Sequence, residues 1–207
     1  MKVKVCGITN IEDAKLSCNL GADAIGLIFY EKSKRYIEPN KAKEILKHLP
    51  AFVMRVGVFV NETPEKINKI SKEIKLNLIQ LHGEESPEVI VKIDLPVVKA
   101  FRVKENFDYS LLKKYKNCSF LLDAYNDKEY GGTGKIFNWN KIPAGLKNKI
   151  ILSGGVSVNN IEKIIKEISP AAIDVSSSLE IEPGKKDKNK LKQFFKEYKS
   201  LNNINKC

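Results

Sequence analysis

The 207-residue chain is poor in the residues that most often build metal and disulfide sites: two histidines and four cysteines. Cys6, Cys18, Cys118 and Cys207 lie far apart, with no C-x-x-C pair. That spacing argues against a disulfide framework or a zinc site and fits a reducing cytoplasm. His48 and His82 alone build no histidine-rich metal centre, so no metal is expected. No apolar run approaches the roughly 20 residues of a membrane span. The charged N-terminus enters an apolar strand directly, and no signal peptide is visible. There is no linker, low-complexity tract or clear repeat, which points to one domain over residues 1–207.

What the chain has in excess is positive charge. Its formal net charge is +11. Two readings follow: a nucleic-acid surface, or solvated lysine-rich helices such as "EKINKISKEIK" and "KKDKNKLKQFFK". The lysines are spread over many segments and are not grouped with exposed aromatics, so the second is favoured and no nucleic-acid partner is expected. The field still attracts small anions. Apolar residues make up 43%, enough for a sizeable core.

Short β-branched runs recur at about 2–6, 24–29, 52–60, 77–81, 97–101, 119–123, 149–153 and 171–175. Between them lie segments of helical spacing, such as "KAKEILKHL" and "VNNIEKIIKEI". Thr63-Pro64-Glu65 and Ser86-Pro87-Glu88 read as helix starts, and Gly21 as a helix stop. Eight strand–helix units imply a parallel sheet and favour a compact single-domain (β/α)8 TIM barrel; an open doubly wound sheet is the rival.

In a barrel, chemistry sits at the C-terminal strand ends. Alternation then sorts the side chains. In "VMRVGVFV" the apolar parity Met54, Val56, Val58 and Val60 is expected to face the helices, with Arg55 and Gly57 inward. Lys4, Cys6, Gln80, His82, Asp123, Ser153 and Asp174 are expected to point inward. Polar interior groups are costly unless paired or used, so their clustering near strand ends marks a candidate site.

"ILSGGV" ends the seventh strand and "AIDVSSSLE" the eighth, the usual phosphate-binding positions of these barrels. Gly154 and Gly155 allow close backbone approach, and Ser176, Ser177 and Ser178 add donors. "YGGTGKIFNW" (130–139) is not a Walker A loop; it is either a cover over the site or a plain connection. His48 reads as a surface residue. His82 lines the pocket or serves as a structural hydrogen-bonding group. Asp123 ends "FLLDA", as a general acid or as a turn residue. Cys6 is an inert buried thiol or a base whose thiolate Lys4 favours.

The ordered set "KVCGIT", "GADAIGLIF", "KSKRYI", "RVGVFVN", "QLHGEE", "LLD", "YGGTGK", "LSGG", "IDVSSS" and "PGKKD" resembles the phosphoribosylanthranilate isomerase family. The resemblance spans nearly the whole chain. It implies a cofactor-free (β/α)8 barrel of tryptophan biosynthesis carrying out an Amadori rearrangement. It also implies that Cys6 is the general base and Asp123 the general acid, with Arg35 and Asp174 near the anthranilate and sugar; His82, at the end of its strand, is expected with them as a substrate-binding residue. Gly155 and Ser176 to Ser178 match the phosphate site, beside Gly154. The partner it implies is a phosphorylated small molecule, handled by a monomer or homodimer.

The family usually reads "DVSSG", and Ser178 stands here in place of the glycine. If that backbone needs positive φ, serine is strained, and Ser178→Gly should lower KM. A related barrel isomerase of histidine biosynthesis carries aspartate at the strand-1 position, and Cys6 argues against that activity. Other phosphosugar barrels, such as the metal-dependent epimerases, need ligands that two histidines hardly supply. A non-enzymatic binder has no use for an inward Cys6–Asp123 pair.

Overall fold

The computed structural model describes residues 1–124 and 137–204. Among these, eight parallel strands close into a barrel in chain order. They are β1 (Lys2–Cys6), β2 (Ala24–Ile28), β3 (Met54–Phe59), β4 (Leu78–Leu81), β5 (Val97–Val103), β6 (Cys118–Ala124), β7 (Ile150–Leu152) and β8 (Ala172–Val175). β8 returns to β1 with Lys4 opposite Asp174. The closure decides for the (β/α)8 barrel, because a doubly wound sheet keeps two free edges.

The outer layer explains how the barrel stays compact. Helices α1 (Ile11–Leu20), α2 (Pro39–Leu46) and α3 (Pro64–Ile74) are regular, but α4 (Pro87–Ile90) and α5 (Ala144–Lys147) are single turns. A 3₁₀ turn, Tyr109–Lys114, follows β5, and α6 (Ile161–Lys163) runs into a π-helical turn at Ile164–Ile168. After β8 come an antiparallel ribbon, β9 (Glu180–Glu182) and β10 (Lys185–Lys186), and the long α7 (Lys188–Ile204).

Local chemistry sets the boundaries. The Asn10 side chain accepts the Asp13 N–H at the start of α1, and Gly21 ends that helix at φ +111°. Thr63 accepts the Lys66 N–H, and Pro64 opens α3. Ser86 occupies the same position before α4, yet its hydroxyl makes no bond to the helix backbone.

Two apolar layers hold the strands. Outward-facing Val3, Val5, Ile25, Leu27, Phe59, Leu122 and Ile173 pack beneath the helices, together with Leu191, Phe194 and Phe195 of α7. Inside the barrel, Val98, Ala100 and Leu121 pack with Leu78 and Ile151 as a dry floor. Polar interior residues are confined to levels where they find partners.

The β3 parity is the reverse of the sequence expectation. Val58 and Val60 line the interior cleft. Gly57 faces the helices, where an added Cβ would lie 2.4 Å from Leu76 Cδ1 and 2.8 Å from Phe59 Cε2. The inward neighbours of Val56 and Val58 include Leu78 and Ile28, so apolar side chains occur on both faces of the strand and hydrophobicity alone gives it no direction. Arg55 is half-buried at the entering end of the strand.

Gly57→Ala forces a methyl into that contact. Overpacking of this kind costs about 1–3 kcal/mol. Urea unfolding is expected to show that loss, and unchanged stability would contradict the outward placement of Gly57.

Candidate active site

The C-terminal strand ends converge on an open cleft of about 510 Å³ lined by Cys6, Arg35, His82, Asp123, Asp174 and Ser176, among others. Cys6 ends β1. Its Sγ needs the absence of a side chain on its neighbour in β2, since a Cβ on Gly26 would lie 2.7 Å from it. Directly after Cys6 the chain turns at Gly7, φ +74°, where a Cβ would meet Arg35 Cδ at 2.6 Å. A glycine after the thiol is therefore required twice, by φ and by contact.

Lys4 lies one inward position below Cys6. Its Nζ is 2.9 Å from both Asp174 carboxylate oxygens. Burial by itself would pull the Lys4 pKa down, but the charges of Asp174 and Cys6 and their hydrogen bonds raise it, so the ammonium is held charged. Burial pushes the Cys6 thiol up. The Lys4 and Lys186 charges pull it down without overcoming burial, while Asp174 adds to the rise. Lys4 thus acts on the thiol in the direction expected from the sequence, by charge and by hydrogen bond, but it is also engaged by Asp174, and desolvation sets the net shift.

Asp123 ends β6 with 2% of its surface exposed. Its Oδ1 accepts the Ala124 N–H at 2.9 Å, and its Oδ2 lies 3.2 Å from His82 Nε2. His82 Nδ1 lies 2.8 Å from the Gln80 amide nitrogen. With Gln80 donating to Nδ1, the ring proton sits on Nε2 and is donated to Asp123. Both ring nitrogens of His82 are engaged, which matches the structural hydrogen-bonding reading. His48 is exposed on the surface.

Arg35 reaches the cleft from the loop after β2 and lays Nε and Nη2 on Glu180. Glu180 is held below the usual carboxylate range; its burial opposes this, but the Arg35 hydrogen bond and the Lys186 charge outweigh burial. Glu180 and Lys186 were not singled out from sequence. In "KKDKNK" Lys186 looks like one more solvated lysine, and only the fold shows it buried.

Gly154, Gly155, Ser177 and Ser178 are not part of the cleft lining; they form the loops above it. Gly154 has φ +79°, and a Cβ there would lie 2.5 Å from the Ala124 nitrogen and 2.9 Å from Asp123 Oδ1. Gly155 has φ +70°. Ser178 does not adopt positive φ. The strain behind the expected gain from Ser178→Gly is therefore absent. Instead the Ser178 Oγ donates to the Val156 carbonyl at 2.6 Å, tying the loop after β8 to the loop after β7. Of the glycine-rich stretch 130–139, residues 130–136 lie outside the described residues, as does Cys207. No group of three His, Cys, Asp or Glu among the described residues is placed to hold a metal ion.

A thiol and a carboxyl facing one cleft at the rim of a (β/α)8 barrel define a site equipped for paired proton transfers on a small molecule. Known proteins agree with that class. The family model for N-(5'phosphoribosyl)anthranilate (PRA) isomerase matches residues 3–197, and the chain belongs to this family. A Bacillus mycoides N-(5'-phosphoribosyl)anthranilate isomerase is 48% identical over 202 residues, covering 96% of this chain and 98% of that one. The phosphoribosyl anthranilate isomerase of Thermotoga maritima superposes with a TM-score of 0.89 at 45% identity, covering 97% of this chain and all of that one. Another phosphoribosyl anthranilate isomerase structure holds reduced 1-(o-carboxyphenylamino)-1-deoxyribulose 5-phosphate. It matches with a TM-score of 0.86 at 43% identity, over 97% of this chain and 100% of that chain.

Two outcomes follow from the geometry. Alkylation of Cys6 by iodoacetamide requires the thiolate, whose raised pKa leaves it scarce at neutral pH. The rate should climb with pH and reach its midpoint above the ordinary thiol value of ~8.5. A midpoint near neutrality would mean that the Lys4 charge outweighs burial. Separately, Ser178→Ala should lower unfolding free energy by about 0.5–1.5 kcal/mol through loss of the Val156 bond. A Ser178→Gly chain more stable than the parent would restore the strain reading.

Proposed function

We propose that the chain converts N-(5-phosphoribosyl)anthranilate into 1-(2-carboxyphenylamino)-1-deoxyribulose 5-phosphate. This is the third step of tryptophan biosynthesis from chorismate. The observation that carries the reading is that Cys6 and Asp123 face the same cleft.

Asp123 is the acid of this reading. It gives its proton to the furanose ring oxygen as the C1–O bond breaks. The anthranilate nitrogen supplies an electron pair to C1, leaving a protonated Schiff base. That cation acidifies the C2 hydrogen, and Cys6, as thiolate, takes it. The C2–H electrons form a C1–C2 double bond, and the resulting enolamine tautomerises to the ketone. Cys6 ends protonated and Asp123 ionised, and one proton passed through solvent resets the site. C1 is reduced and C2 oxidised within one molecule, so the chemistry calls for no redox cofactor.

The remaining residues position the substrate. Arg35, His82 and Asp174 lie around the anthranilate and sugar. Gly154, Gly155, Ser176, Ser177 and Ser178 take the phosphate, supported by the two positive-φ glycines and the tie between their loops. No helix among the described residues is long and apolar enough to cross a membrane. A cytoplasmic location is supported by the scattered free cysteines. A homodimer is supported by the relative from Thermotoga maritima described as dimeric, and light scattering separates it from a monomer.

The test mixes the pure protein with freshly made phosphoribosylanthranilate and follows the loss of its fluorescence. Cys6→Ser and Asp123→Asn should each lower kcat by at least about 10²-fold, since acid–base groups typically contribute ~10²–10⁴-fold. Circular dichroism should show both folded. In Cys6→Ser, solvent deuterium should not enter C2. Near-normal turnover in Cys6→Ser would reject the thiolate base.

A further inference from the structure

Behind the cleft, three charged side chains form a cluster that the proton transfers do not use. Arg35 places Nε 2.9 Å from Glu180 Oε1 and Nη2 2.7 Å from Oε2. Lys186 Nζ lies 2.8 Å from the same Oε1. The ammonium also donates to the Cys6 carbonyl at 2.7 Å and reaches the Ser176 carbonyl at 3.3 Å. Its side chain is 0% exposed. A lysine has three N–H donors, and these three acceptors occupy them. Its backbone is pinned as well. The Lys186 N–H donates to Asp13 Oδ2 at 2.8 Å, and the residue lies opposite Glu180 in the β9–β10 ribbon.

Stability alone does not call for a lysine here. Taking an ammonium out of water costs several kcal/mol, and apolar replacements of buried ion pairs are often neutral or stabilising. A methionine would fill the same space. It would not grip the Cys6 carbonyl, which receives two donors, Lys186 Nζ and the Ser176 hydroxyl at 3.1 Å. Those bonds join the end of β1 to the end of β8, one covalent bond away from the Cα that carries the thiol. The Lys186 charge also bears on the thiol directly, pulling it toward the thiolate. Lys4 on β1 and Asp174 on β8, which act on the thiol as well, are paired with each other, and Asp123 and His82 line the same cleft.

We propose that Lys186 is a positioning residue for the proton-abstracting thiol: its ammonium locks the Cys6 backbone to the end of β8 and sets a positive charge behind Sγ. This rests on Cys6 acting as the base. The Lys186 charge works in the direction of the thiolate, against the burial that opposes it.

The experiment follows the Cys6 titration by thiolate absorbance in a chain carrying Cys18→Ser, Cys118→Ser and Cys207→Ser. Lys186→Met should move that titration upward by about one pH unit. It should lower kcat about tenfold, the corresponding loss of thiolate, with KM little changed. Lys186→Arg should restore part of both. Glu180→Gln keeps an acceptor but removes the negative charge, and should move the titration downward. An unmoved titration in Lys186→Met overturns the proposal and leaves a structural latch. If that variant does not fold, an unmoved titration in Glu180→Gln overturns it. Cys6→Ser with near-normal kcat removes the base itself, and the positioning role falls with it. Cys6→Ser without activity, beside an unmoved titration, rejects the positioning role alone.

Discussion

The Lys4–Asp174 ion pair is the contact on which the site depends. It lies at the seam where β8 closes onto β1, with the two residues in direct register. Lys4 is 5% and Asp174 6% exposed. Neither charge could stay there alone; removing one partner of such a pair costs about 3–5 kcal/mol. The pair therefore fixes the seam register, and a one-residue slip of β8 would turn Asp174 outward and leave Lys4 without its partner. Cys6 and Ser176 each follow two residues later on the same face. The seam that fixes the charges thereby fixes the thiol and the first serine of the loop after β8. Burial raises Asp174 while Lys4 opposes that rise, and the bidentate geometry keeps the two as an ion pair.

Much of this was legible in the sequence because barrel geometry turns one-dimensional signals into position. A polar residue ending an apolar run marks the catalytic rim, and Cys6, His82, Asp123 and Asp174 all announced themselves in that way. The glycines in "LSGG" were marked in the sequence for close backbone approach, and the structure adds that both adopt positive φ. Sequence failed where its signal was symmetric. In β3 apolar residues lie on both faces, Val58 and Val60 on the cleft and Phe59 under the helices, so the apolar parity could not say which side it faced. Gly57 looked like an interior residue and proved to be a relief point for Leu76 and Phe59.

Lys186 and Glu180 failed to show for another reason. They are separated by a turn at Gly184 and sit among "EIEPGKKDKNK", where each reads as part of a solvated charge run. Only the pairing of β9 with β10 turns their side chains together and under the barrel rim. A charge is cheap in water and expensive inside, and sequence does not disclose which it meets. The same limit applies to Lys4. Its proximity to Cys6 showed the direction in which it pulls the thiol, but the sign of the net effect depended on burial and on Asp174.

That sign has a chemical consequence for a thiol acting as base. A thiol pushed up by burial is a scarce base but a strong one, and the hydrogen it must take is held by carbon. The scarcity need not persist through the reaction. In the mechanism proposed above, ring opening would place a cationic Schiff base in the cleft, and a positive charge nearby favours the thiolate. Desolvation, which suppresses the thiolate at rest, also strengthens its attraction to that cation. On that mechanism the first proton transfer would prepare the second. Asp123, held by the Ala124 N–H and by His82, has its carboxyl fixed before substrate arrives, so the proposed acid step would need little reorganisation. The order of the two proposed transfers would then follow from two unlike environments, one carboxyl oriented by hydrogen bonds and one thiol made reluctant by burial.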